Sequence, residues 1–267
     1  MRIRQILHPK EVLLEDQRSA ANIVTDVLLE LSSLSKPDVS LEMLNELAER
    51  MITERGGKSC YKGYMPRWAP QPYPAAICCS VNHEICHAPP RGRTLKNGDI
   101  VKYDIAVRYK SGCGDAALTV AIGDIDNRKQ RAMRYGLEAL YKGIEVVKAG
   151  VPISAIGRAI ESFIEPRGYT IIREFGGHHI GREMHEKPDI PNKYYEEDDH
   201  KLLQEGKIIC IEPMITCGKG NTAIAKEDGW TAFVKDGQPV VVWEHMILVT
   251  VDGCEILTKH INKCGIV

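Results

Sequence analysis

Three histidines, His178, His179 and His185, fall within eight positions of the stretch 174–188 (E-F-G-G-H-H-I-G-R-E-M-H-E-K-P), in a chain with only 9 His among 267 residues. Gly176, Gly177 and Gly181 surround them, so the backbone there can approach a ligand closely. On this segment alone a glycine-rich turn with solvated histidines remains an alternative. Carboxylates elsewhere weaken it. Asp104 interrupts an apolar run (Ile100, Val101, Ile105, Val107), and Asp115 lies on what reads as the returning arm of the same hairpin, about opposite Asp104. Glu212 sits in I-I-C-I-E-P-M-I and Glu244 in V-V-V-W-E-H-M-I-L-V.

Burying an unpaired carboxylate costs several kcal/mol. No Arg or Lys adjoins Glu212 or Glu244 in sequence, which favours a cation over a salt bridge. Two facing carboxylates repel, and one takes a proton unless a cation lies between them. For Asp104 and Asp115 taken alone, a pair of solvated strand edges is the competing reading. One imidazole with four carboxylates suits a pair of divalent ions, Mn, Fe, Co or Zn rather than Ca. Two such ions lower the pKa of a shared water and make hydroxide available at neutral pH.

The elements that must position these residues follow from periodicity. Helical spacing covers 11–34 and 41–52, the second capped by Ser40 and ended by Gly56-Gly57. A Pro- and aromatic-rich loop (60–90) surrounds a short strand at 76–81; strands at 99–107 and 113–122 form the hairpin. Helices follow at 131–148 and 153–164, then strands at 169–174, 208–214, 230–234, 240–249 and 255–257. Residues 36–57 overlay residues 148–169 without a gap, with Lys, Val, Glu, Ile, Arg and Gly coincident where chance gives roughly one match. We therefore expect a single catalytic domain, 1–267, of two pseudo-symmetric helix-helix-strand halves (about 11–122 and 131–257) around a central antiparallel sheet. Asp104 and Asp115 come from the first half, and His178, Glu212 and Glu244 from the second.

Bulk composition excludes several classes. Lys+Arg 35 against Asp+Glu 36 gives a formal charge of -1, so there is no bulk electrostatic case for nucleic acid or an anionic membrane. No apolar run approaches the ~18 residues of a membrane span, and M-R-I-R-Q-I-L-H-P-K-E lacks the features of a secretory signal. Nine Cys without a C-x-x-C pair read as reduced thiols in a cytoplasmic protein.

The segments N-H-E-I-C-H (82–87), D-I-V-K-Y-D-I-A-V (99–107), G-C-G-D (112–115), G-H-H-I-G-R-E-M-H-E (177–186), I-E-P-M (211–214) and E-D-G-W…E-H (227–245) resemble methionine aminopeptidase of the bacterial, type I class, over nearly the whole chain. The resemblance implies the α+β pita-bread fold, which is itself built of two pseudo-symmetric halves. It implies removal of the N-terminal Met from nascent polypeptides with a small second residue. By motif, Asp104 would chelate one ion, Asp115 and Glu244 would bridge both, and His178 and Glu212 would complete the other shell. Glu212 would shuttle a proton, His185 would bond the scissile carbonyl, and His87 would contact the amide nitrogen side. Without the resemblance, His87 and His185 read as ordinary loop histidines. Cys78, Met184 and Trp230 would line the Met pocket, with Tyr64 or Tyr61 beside them.

The chain departs from the family at His179, Met184, His83-Glu84 and Ala88-Pro89-Pro90, and in a Pro-rich insertion at 65–74. These departures bear on specificity. The partner expected is the N-terminal Met of a nascent chain, at or near the ribosome, with the enzyme a monomer. The rival readings are an X-Pro aminopeptidase or prolidase, and a non-catalytic peptide- or ribosome-binding scaffold of the same fold.

Overall fold

The computed structural model describes residues 9–259. The opening stretch read above for a secretory signal lies largely outside them. Helix α1 (Pro9–Leu34) turns its apolar stripe, including Val24, Val27, Leu28 and Leu31, inward. Helix α2 (Leu41–Glu54) is capped at its start by Ser40, as expected, and stops where Gly56 takes a φ of 76°. Strands β1 (Lys58–Ser59) and β2 (Cys78–Val81) pair along one edge of β3 (Ile100–Tyr109), and β4 (Gly112–Ala121) pairs along its other edge.

Helix α1 lies against β3 and β4. It approaches β4 where Gly112 and Gly114 present no side chain: a Cβ on Gly114 would sit 2.6 Å from the Ala21 nitrogen. Strand alternation then turns Asp115 to the opposite face. The G-C-G-D run thus gives a helix-packing surface on one side and an acid on the other.

Helix α3 (Asn127–Glu145) begins four residues before the sequence-based expectation, because Asp126 accepts from the Arg128 and Lys129 N–H groups and caps it there. Helix α4 (Ser154–Ile164) packs on α3. The strand expected at 169–174 shrinks to β5 (Thr170–Ile171). The His-rich stretch supplies two unforeseen strands, β6 (Gly177–His179) and β7 (Glu186–Ile190).

The strands expected over 208–214 and 240–249 are each broken in two. Strand β8 (Ile208–Ile211) precedes β9 (Met214–Thr216); after a small hairpin of β10 (Thr222–Ile224) and β11 (Ala232–Val234), β12 (Val240–Val242) precedes β13 (His245–Val249) and β14 (Cys254–Ile256). One sheet runs β14-β13-β8-β6-β7 and another β12-β9-β5, all antiparallel. The breaks do not slip the register: Val242 pairs with Met214 and His245 with Ile211. Trp243 and Glu244 therefore lie across from Pro213 and Glu212. Pro213 has no N–H to continue the ladder, and the Glu244 N–H instead donates to the Ala117 carbonyl of β4 at 2.8 Å. That bond, with Thr119 Oγ1 donating to the Val242 carbonyl at 2.7 Å, stitches the first set of strands to the second. No helix among the described residues is long and apolar enough to cross a membrane.

Candidate active site

Asp104 pairs with Ala117 on β4 and with Cys78 on β2, while Asp115 pairs with Ala106. The two acids are therefore diagonal neighbours on one face of the hairpin, not directly opposite as expected. The turn is centred on Lys110 and Ser111, one residue beyond the Tyr109-Lys110 centre that would set Asp104 opposite Asp115, and this moves the partner of Asp104 to Ala117. Glu212 and Glu244 occupy the two strand breaks, where the backbone leaves the ladder. His178 pairs with Cys210 on β8 and Asp189 on β7. Gly177 permits this approach: a Cβ there would lie 2.0 Å from the Cys210 carbonyl oxygen. His179 points away and shares its Nδ1 hydrogen with the Pro188 carbonyl at 2.7 Å, so it does not crowd the acids.

Ligand atoms of Asp115, His178, Glu244 and Cys210 all lie within 4.8 Å of one another, and all four residues are buried. Asp104 and Glu212 line the same cavity, of about 640 Å³, as do His87 and His185. The sequence-predicted site residues are thus brought together, from β2, β3, β4, β6, the two strand breaks and the intervening loops.

The electrostatics point to a missing positive charge. Burial pushes the Asp104 carboxyl up to about 6, against the pull of the Tyr61 O–H, which donates to its Oδ1 at 2.5 Å. Burial, then Glu244 and Asp104, push Asp115 well up; burial, then neighbouring acids, do the same to Glu212 and Glu244. Asp115 Oδ1 and Glu244 Oε1 are buried without a hydrogen-bond partner. Among the described residues, the ion-pair contact these acids make is with His178, not with a lysine or arginine. Burial, then His185, lower the His178 pKa to about 3, so its ring is neutral at neutral pH. Its Nδ1 lies 3.0 Å from the His179 carbonyl, which assigns the ring hydrogen to Nδ1 and leaves a lone pair on Nε2. That lone pair faces Asp115 Oδ2 at 3.8 Å, too long for a hydrogen bond and suited to two ligands of one ion. Asp115 and Glu244 bring carboxylate oxygens within 4.8 Å of each other; two full charges at that range repel by roughly 3–4 kcal/mol at an effective dielectric of ~20, so a divalent cation fits the donor set and relieves the repulsion.

His185 packs edge-on against His178, with ring centroids 4.5 Å apart, and burial lowers its pKa. His87 packs against Phe175, and burial lowers its pKa to about 4. Its φ of 57° is unusual for a residue with a Cβ and costs about 1–3 kcal/mol. Arg93 holds that loop in place, donating to Glu84 at 2.7 and 2.8 Å and to the carbonyls of Cys79 and Pro89. The charged Glu84 is thus a brace for the His87 loop.

Beside the acids the cavity has an apolar recess lined by Cys78, Met184 and Trp230 with Tyr61 and Tyr73, and Ala106 packs within the same cluster. Tyr64 stands at its rim, 6.3 Å from the His185 ring. The Pro-rich insertion closes this recess. Trp230 Nε1 donates to the Gln71 carbonyl at 3.0 Å, and Trp68 packs edge-on against Trp230 with centroids 5.0 Å apart while remaining 60% exposed. Sequence reasoning missed Tyr73, Trp68 and Phe175 as parts of this cavity, and Cys210 as a donor buried behind its acids. Their only signal was aromatic enrichment in 60–90 and, for Cys210, its position two residues before Glu212.

Buried carboxylates and a neutral imidazole gathered from neighbouring antiparallel strands and their breaks, beside an apolar wall, define a metallohydrolase centre, and the chain belongs to metallopeptidase family M24, matched over residues 15–251. It is 36% identical to the methionine aminopeptidase of Rickettsia prowazekii over 92% of both chains, and 34% identical to methionine aminopeptidase 1 of Bacillus subtilis over 91% of this chain and 94% of that one. The crystal structure of the Rickettsia prowazekii methionine aminopeptidase superposes with a TM-score of 0.87 at 34% identity, covering 95% of this chain and 99% of that one. A prolidase from Pyrococcus furiosus shares the pita-bread fold, with a TM-score of 0.69 at 20% identity, but this chain spans only 64% of it.

Proposed function

We propose that this chain removes the N-terminal methionine from nascent polypeptides, with two divalent ions held by Asp104, Asp115, His178, Glu212 and Glu244. The observation that carries this reading is the juxtaposition of buried, unpartnered carboxylate oxygens with an apolar, aromatic wall in one cavity. When bound, the ions supply hydroxide at neutral pH and polarise the scissile carbonyl. The chain's own groups do the rest. The recess of Cys78, Met184 and Trp230 takes the Met side chain, with Tyr64 at its edge. His185 donates to the carbonyl oxygen as negative charge develops there. Glu212, whose carboxyl is pushed up by burial, takes a proton and returns it to the leaving amine. His87 bonds the amide nitrogen side. Trp68 and Tyr64 crowd the exit and favour a small second residue.

The domain reads as two related halves, α2 and α4 occupying matching places in the internal repeat. Free cysteines among the described residues support a reducing, cytoplasmic workplace, where N-termini emerge from ribosomes. The enzyme would act as a monomer, on a metal of the manganese-to-zinc series.

A Met-Ala-Ser peptide should be cut and Met-Leu-Ser resisted, with X-Pro peptides untouched. Equal cleavage of the first two refutes the small-neighbour rule, and preference for X-Pro transfers the chain to the prolidase reading. Asp115→Asn should lose at least about 100-fold in turnover together with bound metal, measured by elemental analysis.

A further inference from the structure

We infer that Cys210 places a sulfur donor in the metal centre, so that the ion between Asp115, His178 and Glu244 is bound in part by a thiolate and thiophilic ions are selected over manganese. Cys210 is not one of the five ligands assigned above. The strand register puts it there: on β8 it pairs with His178 on one side and with Met246 on the other. Because directly paired residues on neighbouring antiparallel strands point to one face, the Cys210 side chain shares the face of His178. Its Sγ lies within 4.8 Å of a carboxylate oxygen of Asp115, a carboxylate oxygen of Glu244 and an imidazole nitrogen of His178, and the thiol is fully buried.

Donors within 4.8 Å of one another close on one ion, at bond lengths of about 2.0–2.3 Å, with small side-chain rotations. Unpartnered Asp115 Oδ1 and Glu244 Oε1 mark where charge is missing. As the metal–sulfur bond forms, the S–H bond breaks and its proton leaves to solvent. A thiolate among oxygen ligands favours zinc, cobalt, iron or cadmium and disfavours manganese.

The inference rests on the metal-centre reading, and the test separates the two. Stripped protein is titrated with cobalt(II), and absorption is followed in the visible, which reports any bound cobalt, and in the near ultraviolet, which reports sulfur-to-cobalt charge transfer. The wild type should show both. Cys210→Ser and Cys210→Ala should keep the visible bands and lose the ultraviolet one, and either soluble variant suffices. The cadmium-to-manganese affinity ratio should fall by about tenfold or more in these variants. Visible bands without charge transfer in the wild type, or charge transfer persisting in the variants, overturn the thiolate alone. No bound cobalt at all in the wild type overturns the metal centre with it.

Discussion

His178 is held by a hydrogen bond from Nδ1 to the His179 carbonyl, and its neutral Nε2 faces Asp115 across 3.8 Å. His185 packs edge-on against its ring. Replacing His185 by Ala should lower turnover on the order of 100- to 1000-fold with metal content unchanged; an unaltered rate removes it from the mechanism. Asp104 gives a pH prediction for the metal-free protein. Burial raises its carboxyl from 3.8 to about 6, so protonation favours the folded state. The stability this group contributes is full below about pH 4 and is lost as pH rises through about 6. Asp104→Asn lacks that loss. Relative to metal-free wild type, the variant should therefore gain roughly 3 kcal/mol between pH 4 and pH 7.5, read from denaturant melts at both pH values. A gap that does not change with pH would falsify the assignment.

At the scale of elements, the site depends on places where strands approach closely or come apart. Strand β6 nears β8 because Gly177 has no side chain to strike the Cys210 carbonyl. Gly177→Ala should cost more than about 2 kcal/mol and weaken metal binding, the first seen in a thermal melt and the second in a cobalt titration. Retention of both would mean that the strands tolerate separation and that His178 is placed by something else. The paired breaks at Glu212-Pro213 and Trp243-Glu244 have a different effect. They free two acids from the regular alternation while keeping register, and they let the Glu244 backbone bond to β4.

Across the whole molecule, the proposed ligands come from strands far apart in the chain, so an ion bound by them would tie the β3–β4 hairpin to the β6–β8–β13 sheet. An ion that binds only the folded state stabilises it by about 2.7 kcal/mol at a hundred times its dissociation constant. For a chain of this length, chelation should lower the melting temperature by about 5–10 °C, and manganese or cobalt should restore it. A melting temperature indifferent to chelation would show that the two sets of strands hold together without the ions.

The sequence by itself determined the helices, the hairpin and the identity of the acids, because periodicity reports burial locally and a carboxylate in an apolar strand is conspicuous wherever it falls. Ser40 and Gly56 marked the ends of α2 in the same local way. Asp126 marks the start of α3 in the same way, four residues ahead of the apolar periodicity. Which groups meet, by contrast, follows from long-range packing. The diagonal offset of Asp104 and Asp115 depends on a two-residue turn, and the approach of Cys210 to His178 depends on pairing between strands some thirty residues apart. The folding of the Pro-rich insertion over Trp230 depends on backbone acceptors such as the Gln71 carbonyl. Pairing register and loop docking are long-range choices, set by the packing of the whole chain, and no local pattern of residue types encodes them.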